Sequence, residues 1–253
     1  MKRGIFLIVV LGLVGFSGRG QIMFQKNYGG TAYDYGFSVQ LTTDGGYILV
    51  GNTTSFGAGL NDVYLIRANE YGDTIWTRTF GGSGYDYGCS IQQTFDSGFI
   101  IVGQTGSFGM GNSDVYLIKI SFNGDTLWTK TIGGSGSETG NSIKQTLDGG
   151  FIIGGITNSF GAGGNDFYLI KTDSIGNIEW TKTYGGTNDD NGNYVEQTAD
   201  RGYVLLGNTL SFGAGGQDIY LIKTDSLGDT LWTKTYGGDS TDYGNSIQQT
   251  PDA

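Results

Sequence analysis

The sequence predicts an all-β protein made of tandem copies of one structural unit, and three observations support this. There are 48 Gly and 13% aromatic residues but a single proline. Short runs of Val, Ile, Leu and Tyr alternate with glycine-containing turns, which is typical of short strands joined by tight connections. Finally, the sequence superimposes on itself without a gap after a shift of 52 residues. A fixed period over most of the chain indicates a repeat architecture.

Tryptophan marks the period. One tryptophan recurs at the same place in successive units, and Phe24 holds this place ahead of them; the four are Trp76, Trp128, Trp180 and Trp232. A large aromatic side chain repeated once per unit is expected to pack between neighbouring units. We therefore interpret the four tryptophans as structural anchors, with stacking against a sugar as the alternative.

Each unit contains four predicted strands, A to D. In the unit 88–132 they are Ser90–Thr94, Phe99–Gln104, Asp114–Ile120 and Leu127–Ile132. The A–B turn reads Asp-Ser-Gly here and Asp-Gly-Gly in other copies, where glycine supplies the positive φ of a tight hairpin. Strand B is apolar on both faces, as in a buried strand. Strand D carries a Lys or Arg, which suits an exposed outer strand, so the predicted order A to D runs from axis to rim.

A four-stranded unit of about 50 residues in tandem predicts a β-propeller of antiparallel blades, with a β-solenoid as the alternative. The predicted units are 36–80, 88–132, 140–184 and 192–236, with a partial fifth at 244–253. A strand D that precedes the first unit, here called the leading strand D, is predicted at Ile22–Tyr28, and a fifth strand A is predicted at Ser246–Thr250. Since closed propellers have about four to eight complete blades, we interpret the chain as an open or incomplete propeller, cut from a larger one.

The first 20 residues are predicted to be a cleavable signal peptide, which leaves 21–253 as the repeat domain. Lys2 and Arg3 form a basic start, an apolar stretch follows at Ile5–Phe16, and small residues end the segment. The apolar stretch is shorter than the ~20 residues that a membrane-spanning helix needs. The expected location is extracellular or at the cell surface, without membrane insertion after cleavage; an uncleaved anchor is the alternative.

Composition excludes several classes of function. The formal net charge is −10, which opposes binding to nucleic acid, because nucleic acid is bound through clusters of Lys and Arg. There is no histidine, which excludes Ser–His and Cys–His nucleophile systems and the usual zinc sites. The lone cysteine, Cys89, cannot form an internal disulfide. The expected partner is a glycan or a protein.

Two series of acidic residues are predicted to share one end of the blades, because the D–A and B–C connections emerge at the same end. One series is Asp34, Asp86, Glu138, Asp190 and Asp242; the other is Asp62, Asp114, Asp166 and Asp218. They are candidate binding residues for sugar hydroxyls or calcium, or a glycosidase pair. The alternative is that each acid caps its own glycine-rich turn.

No cofactor is expected, with calcium as the alternative. The segment 161–168 nearly matches the glycine-aspartate nonapeptide that binds calcium in parallel β-rolls. That fold needs the nonapeptide in immediate tandem, whereas it occurs here once per unit. The sequence therefore favours a turn over a calcium site.

The stretch Thr224–Trp232 resembles the tryptophan-docking motif of quinoprotein-type propellers, although the motif's Asp is replaced by Asn69 and Ser121 in two other units. The whole unit, from the Gly-Gly pair through Asp-Gly-Gly-Tyr to Tyr-Leu-Ile-Lys, is similar to the propeller repeats of secreted bacterial surface proteins, and distantly to kelch units, over residues 22–253. This resemblance implies export and a surface or extracellular role. It implies no enzymatic activity.

Regular repetition without a unique constellation predicts a non-catalytic exported scaffold that binds a glycan or protein. The alternative is a polysaccharide hydrolase that uses two loop carboxylates, for which the divergent loop Thr187–Asn191 is the best place. A third hypothesis is that these blades space an activity located in a missing C-terminal part.

Overall fold

A computed structural model of the protein describes residues 5–7 and 24–250, and these residues form an all-β fold of 18 strands. They include no helix, and hence none long and apolar enough to cross a membrane. Most of the predicted signal segment 1–20 lies outside the described residues. Its described part, β1 (Ile5–Leu7), pairs antiparallel with β2 (Lys26–Tyr28).

Four successive sheets follow, each with four antiparallel strands in chain order, so the predicted fold class is confirmed. Blade 1 contains β3 (Asp34–Leu41), β4 (Tyr47–Thr53), β5 (Asp62–Ala68) and β6 (Thr74–Phe80). Blade 2 contains β7 (Asp86–Gln93), β8 (Phe99–Thr105), β9 (Asp114–Ile120) and β10 (Thr126–Ile132). Blade 3 contains β11 (Glu138–Gln145), β12 (Phe151–Thr157), β13 (Asp166–Thr172) and β14 (Ile178–Tyr184). Blade 4 contains β15 (Asp190–Gln197), β16 (Tyr203–Thr209), β17 (Asp218–Thr224) and β18 (Thr230–Tyr236).

The strand order within each blade runs from axis to rim, as the sequence predicts. The A strands of adjacent blades, β3, β7, β11 and β15, contact one another. The B and C strands of blades 1 to 3 are buried along almost their whole length. The D strands are mostly exposed or half-buried. The core is therefore a set of apolar layers between neighbouring sheets.

Strand A begins earlier than predicted because it contains a β-bulge. In blade 2 the pairing of β7 with β8 shifts register between Gly88 and Ser90, which leaves Cys89 unpaired. The same shift recurs in the other three blades. Glycine on both strands allows the close approach: a Cβ atom on Gly103 would lie only 1.7 Å from the carbonyl oxygen of Tyr87. The bulge adds residues 86–89 to the strand.

The prediction of a fifth strand A at Ser246–Thr250 is wrong. Residues 241–250 form no strand, because a strand needs a hydrogen-bonded neighbour and no fifth strand B is present among the described residues. The segment still lies against blade 4: Asn193 Nδ2 donates to the Gly244 carbonyl at 2.8 Å, and the Ala199 amide donates to Gln249 Oε1 at 3.0 Å. Residues 251–253 lie outside the described residues.

The leading strand D is shorter than the predicted Ile22–Tyr28, since β2 begins at Lys26 and residues 22 and 23 are not described. It nevertheless packs against blade 1 as a D strand would. The Phe24 ring lies 5.5 Å from the Tyr47 ring, and Lys26 Nζ lies 2.8 Å from Asp73 Oδ1. The equivalent pair between blades 3 and 4, Lys182 and Asp229, has the same separation of 2.8 Å.

Tryptophan and glutamine join the blades. The Trp76 ring lies 6.4 Å from Phe99 of the next blade, and Trp128 lies 6.2 Å from Phe151. Gln40 Oε1 accepts a hydrogen bond from the Gln93 amide at 2.6 Å. Trp232, on the last blade, is 42% exposed. The described blades thus form an open array in which each blade contacts its neighbours in the chain.

Candidate functional site

The two ends of the array differ in chemistry. The B–C and D–A connections meet at one end, which we name the loop face, and the A–B and C–D turns form the opposite turn face. On the loop face, isolated parallel bridges join the two kinds of loop, at Asn61 with Tyr85 and at Ser113 with Ser137.

The structure brings the two predicted acidic series together in pairs on the loop face. A Cβ atom on Gly81 would lie 2.1 Å from Asp62 Oδ1 and 2.6 Å from Asp86 Oδ2, so both carboxylates flank this glycine. Eight of the acids are buried, with exposures of 0–6%: Asp34, Asp62, Asp86, Asp114, Glu138, Asp166, Asp190 and Asp218. The positions agree with the predicted shared end, but the carboxylates do not face solvent.

Hydrogen bonds to the loops occupy these carboxylates, except that the buried Oδ1 of Asp190 has no partner within the described residues. Asp86 Oδ2 accepts from the Gly82 amide at 2.9 Å and from Ser107 Oγ at 2.6 Å, and Oδ1 accepts from Thr105 Oγ1. The other series does the same: Asp62 Oδ2 accepts from the Ala58 amide at 2.9 Å. These hydrogen bonds are the ones expected if each acid caps its own glycine-rich loop, which was the alternative to a binding role.

Three acids of the B–C loops, Asp62, Asp114 and Asp166, have raised pKa values. Burial is the main cause that raises the pKa of Asp62; the Ala58 amide opposes it, and the charge of Asp86 adds to it. Burial is likewise the main cause that raises the pKa of Asp114 and of Asp166. Within residues 24–250 no three His, Cys, Asp or Glu side chains are arranged to hold a metal ion.

The divergent loop Thr187–Asn191 does not present two acids side by side. Asp190 is buried, and its Oδ2 accepts from the Gly186 amide at 2.7 Å. Asp189 is exposed, and its Oδ1 accepts from the Asn165 amide at 2.8 Å. The two carboxylates thus have separate structural partners.

Aromatic side chains, which the sequence analysis did not identify as a site, are what the loop face exposes. Tyr33 and Tyr85 are 56% and 52% exposed. Each stacks on the tyrosine two residues later, with ring separations of 6.4 Å for Tyr33–Tyr35 and 6.2 Å for Tyr85–Tyr87. The signal was present in the sequence as Tyr-Asp-Tyr: side chains alternate along a strand, so the buried aspartate places both tyrosines outward.

A cleft adjoins the second tyrosine pair. Its volume is about 380 Å³, and Tyr85, Tyr87, Gln104 and Asn112 line it. The tyrosine pairs occur only in blades 1 and 2, because the equivalent residues are Ser137 and Thr139 in blade 3 and Asp189 and Asn191 in blade 4. Aromatic rings beside amide groups make this cleft the candidate binding site of the loop face.

The turn face contains a buried cation in blades 1 to 3 and a half-buried one in blade 4, which the sequence analysis did not identify. Lys119 is 4% exposed, and its Nζ lies 3.0 Å from Asp96 Oδ2 of the A–B turn. The equivalent pairs are Arg67–Asp44, Lys171–Asp148 and Lys223–Asp200. The hydrogen bond from Lys223 is the main cause that lowers the pKa of Asp200 to about 2. Because this cation–aspartate pair recurs in every blade, we interpret it as a structural feature of the repeat.

Arg201 stands in the A–B turn of blade 4 with a φ of 67°, where Gly45 and Gly149 stand in other blades. A left-handed conformation costs an L-residue about 1 kcal/mol, and glycine avoids this cost. We expect Arg201→Gly to raise the free energy of unfolding by about 1 kcal/mol, and the melting temperature by about 2–4 °C, as measured by thermal unfolding.

A glycine-to-alanine substitution at the equivalent position of blade 3 is the control for this prediction. Gly149 has a φ of 85° and a Cβ atom there would meet nothing within 4 Å, so Gly149→Ala tests backbone strain alone and should be destabilising. A lower stability of Arg201→Gly than of the wild type would show that the arginine side chain stabilises the turn.

Comparison with known proteins gives structural likeness only. No family model matches the chain, and no curated protein matches it. A solved protein of unknown function from Bacteroides caccae is 13% identical, with a TM-score of 0.49, over 83% of this chain and 70% of that one. A candidate exo-β-1,3-galactanase from Bifidobacterium bifidum is 14% identical, with a TM-score of 0.48, over 81% and 72%. BamB from Moraxella catarrhalis is 14% identical, with a TM-score of 0.40, over 83% and 66%.

Proposed function

We propose that the protein is a non-catalytic, exported binding scaffold whose loop face binds a glycan or a protein. The observation that carries this proposal is the contrast on that face: the carboxylates are buried and hydrogen-bonded, whereas stacked tyrosines line an open cleft. Exposed tyrosine supplies large contact area at small entropic cost. Its ring can cover the C–H face of a sugar or an apolar side chain, while its hydroxyl forms hydrogen bonds.

Two further features support a binding role. A hydrolase needs two accessible carboxylates, and acids that cap their own loops in every blade do not supply them. The net charge of −10 opposes a polyanionic partner. Export rests on the basic and apolar residues at the start of the chain.

The test is binding of the intact protein to a glycan array and to proteins captured from culture medium. We expect the double substitution Tyr85→Ala and Tyr87→Ala to lower affinity for a ligand of the loop face by about tenfold or more, since loss of one well-packed interface aromatic costs about 2 kcal/mol. The readout is the dissociation constant from titration.

Phe95→Ala is the matched control, because Phe95 is an aromatic residue that is 72% exposed on the turn face. It should leave binding unchanged. The proposal is overturned if the intact protein binds nothing above background, or if the double variant binds every ligand found as the wild type does.

A further inference from the structure

The junction between blades 3 and 4 contains an open groove on the turn face, with a volume of about 790 Å³. Lys171, Glu179 and Trp180 line it from blade 3, and Arg201 and Ser226 line it from blade 4. This volume lies within the range of about 300–1,000 Å³ that small-molecule sites occupy. We name it the blade 3–4 groove.

An aromatic side chain fills the equivalent space between blades 1 and 2. The Phe122 ring lies 6.0 Å from the Phe99 ring and 5.3 Å from the Arg67 guanidinium carbon. Ser226 holds the place of Phe122 two units later. The small side chain leaves the blade 3–4 groove unfilled.

Two charged residues distinguish this groove from the same position elsewhere in the array. Glu179 replaces Ile75, Leu127 and Leu231 of the other units. It is 47% exposed, and its Oε2 lies 2.9 Å from Lys171 Nζ. A carboxylate here departs from the apolar residue of the repeat and still faces solvent.

Arg201 is the second such residue. It is exposed, and its backbone is in the left-handed region. Its side chain forms no hydrogen bond or ion pair with any residue in the described range 24–250. The left-handed backbone of Arg201 therefore destabilises the turn, and no contact of its side chain within the described residues offsets this. Ser97 has the same φ of 67° at this position of blade 2, so Arg201 differs from its equivalents by its charged side chain that has no partner in the described part of the chain.

We propose that the blade 3–4 groove binds a pyranose unit of a neutral glycan. Trp180, whose ring lies 5.9 Å from the Tyr203 ring, and the exposed Leu227 supply apolar surface for the C–H face of a sugar. Hydroxyl groups both donate and accept hydrogen bonds, and the groove offers donors on Arg201 and acceptors on Glu179.

Charge balance favours a neutral ligand over an acidic one. Lys171 and Arg201 carry two positive charges, and Asp148 and Glu179 carry two negative charges, so the groove has no net formal charge. The whole chain is strongly acidic, which repels polyanions. This site lies at the opposite end of the blades from the tyrosine cleft and does not depend on it.

The experiment titrates the intact protein with soluble neutral polysaccharides, namely β-glucan, mannan, galactan and arabinoxylan. We expect at least one to bind, and we expect Ser226→Phe and Arg201→Gly each to weaken that binding at least tenfold. Glu179→Leu, which restores the residue of the neighbouring units, should act in the same direction. Thermal unfolding of each variant checks that the fold is retained.

Two controls separate this site from the loop face. Ser174→Phe makes the same change at the junction of blades 2 and 3 and should leave the affinity unchanged. The double substitution Tyr85→Ala and Tyr87→Ala should also leave binding at the groove unchanged. If one polysaccharide binds both faces, the wild type titrates with two sites and Ser226→Phe removes one.

The proposal is overturned if no neutral polysaccharide binds, or if folded Ser226→Phe binds as the wild type does. Equal loss of binding in Ser174→Phe also overturns it, because the effect would not belong to this groove. Loss of binding in the tyrosine variant alone assigns the ligand to the loop face, which supports the proposed function and rejects the groove.

Discussion

Replacement of Gly103 by alanine is expected to lower the free energy of unfolding by about 3 kcal/mol or more. Overpacking a well-packed interior costs about 1–3 kcal/mol when side chains can move aside. Here the added Cβ atom would lie 1.7 Å from the Tyr87 carbonyl oxygen, and that oxygen belongs to a strand that β8 itself holds in place. Urea unfolding followed by tryptophan fluorescence measures the loss.

Gly238→Ala is the control for this prediction. A Cβ atom on Gly238 would meet nothing within 4 Å, and its φ is not in the left-handed region. We expect its stability to match the wild type within about 0.5 kcal/mol, as for most surface substitutions. Near-wild-type stability of Gly103→Ala would mean that strands A and B can separate at the bulge without loss of the blade.

The second large effect is expected for Asp86→Ala, which should cost about 3 kcal/mol. The substitution removes the acceptor for the Gly82 amide, Ser107 Oγ and Thr105 Oγ1. Each buried donor left without a partner costs about 1–3 kcal/mol, although water entering the cavity offsets part of the sum. The measurement is again the urea midpoint, with glycan and protein binding assayed on the same sample.

Asp242→Ala is the matched control, because Asp242 is the same position of the repeat at the end of the array. It is less buried, and its Oδ2 accepts from the Gly238 amide at 3.1 Å. We expect Asp242→Ala to lower the free energy of unfolding by less than Asp86→Ala does, by about 1 kcal/mol. If Asp86→Ala kept wild-type stability and lost ligand binding, the acids would be binding residues and the capping role would be rejected.

Periodicity was sufficient to predict the blades. Strand C of blade 2 spans Asp114–Ile120 in both prediction and structure, because its apolar run is bounded by a loop and a tight turn. The bulge at Cys89 was not predictable in the same way. It depends on the contact between Gly88 and Gly103, which are far apart in sequence, so no local pattern reports it.

The candidate site was harder to predict than the fold. Topology correctly placed Asp62 and Asp86 at one end, but exposure depends on the loops that wrap around each carboxylate. Lys119 of strand β9 resembles a surface residue in sequence, and its burial depends on a partner in the A–B turn, Asp96. Tyr85 could have been recognised, since alternation along a strand places it opposite a buried aspartate.

The position of Phe122, Ser174 and Ser226 has a consequence for how such arrays acquire specificity. All three residues are exposed in the C–D turn, and none belongs to the apolar core clusters. Phe122 covers the junction of blades 1 and 2, and Ser226 leaves the blade 3–4 groove open, while neither residue belongs to the strands of the core. If the blade 3–4 groove binds a glycan as proposed, ligand capacity can be set one junction at a time, and a chain of nearly identical modules can range from monovalent to multivalent recognition without redesign of its interior.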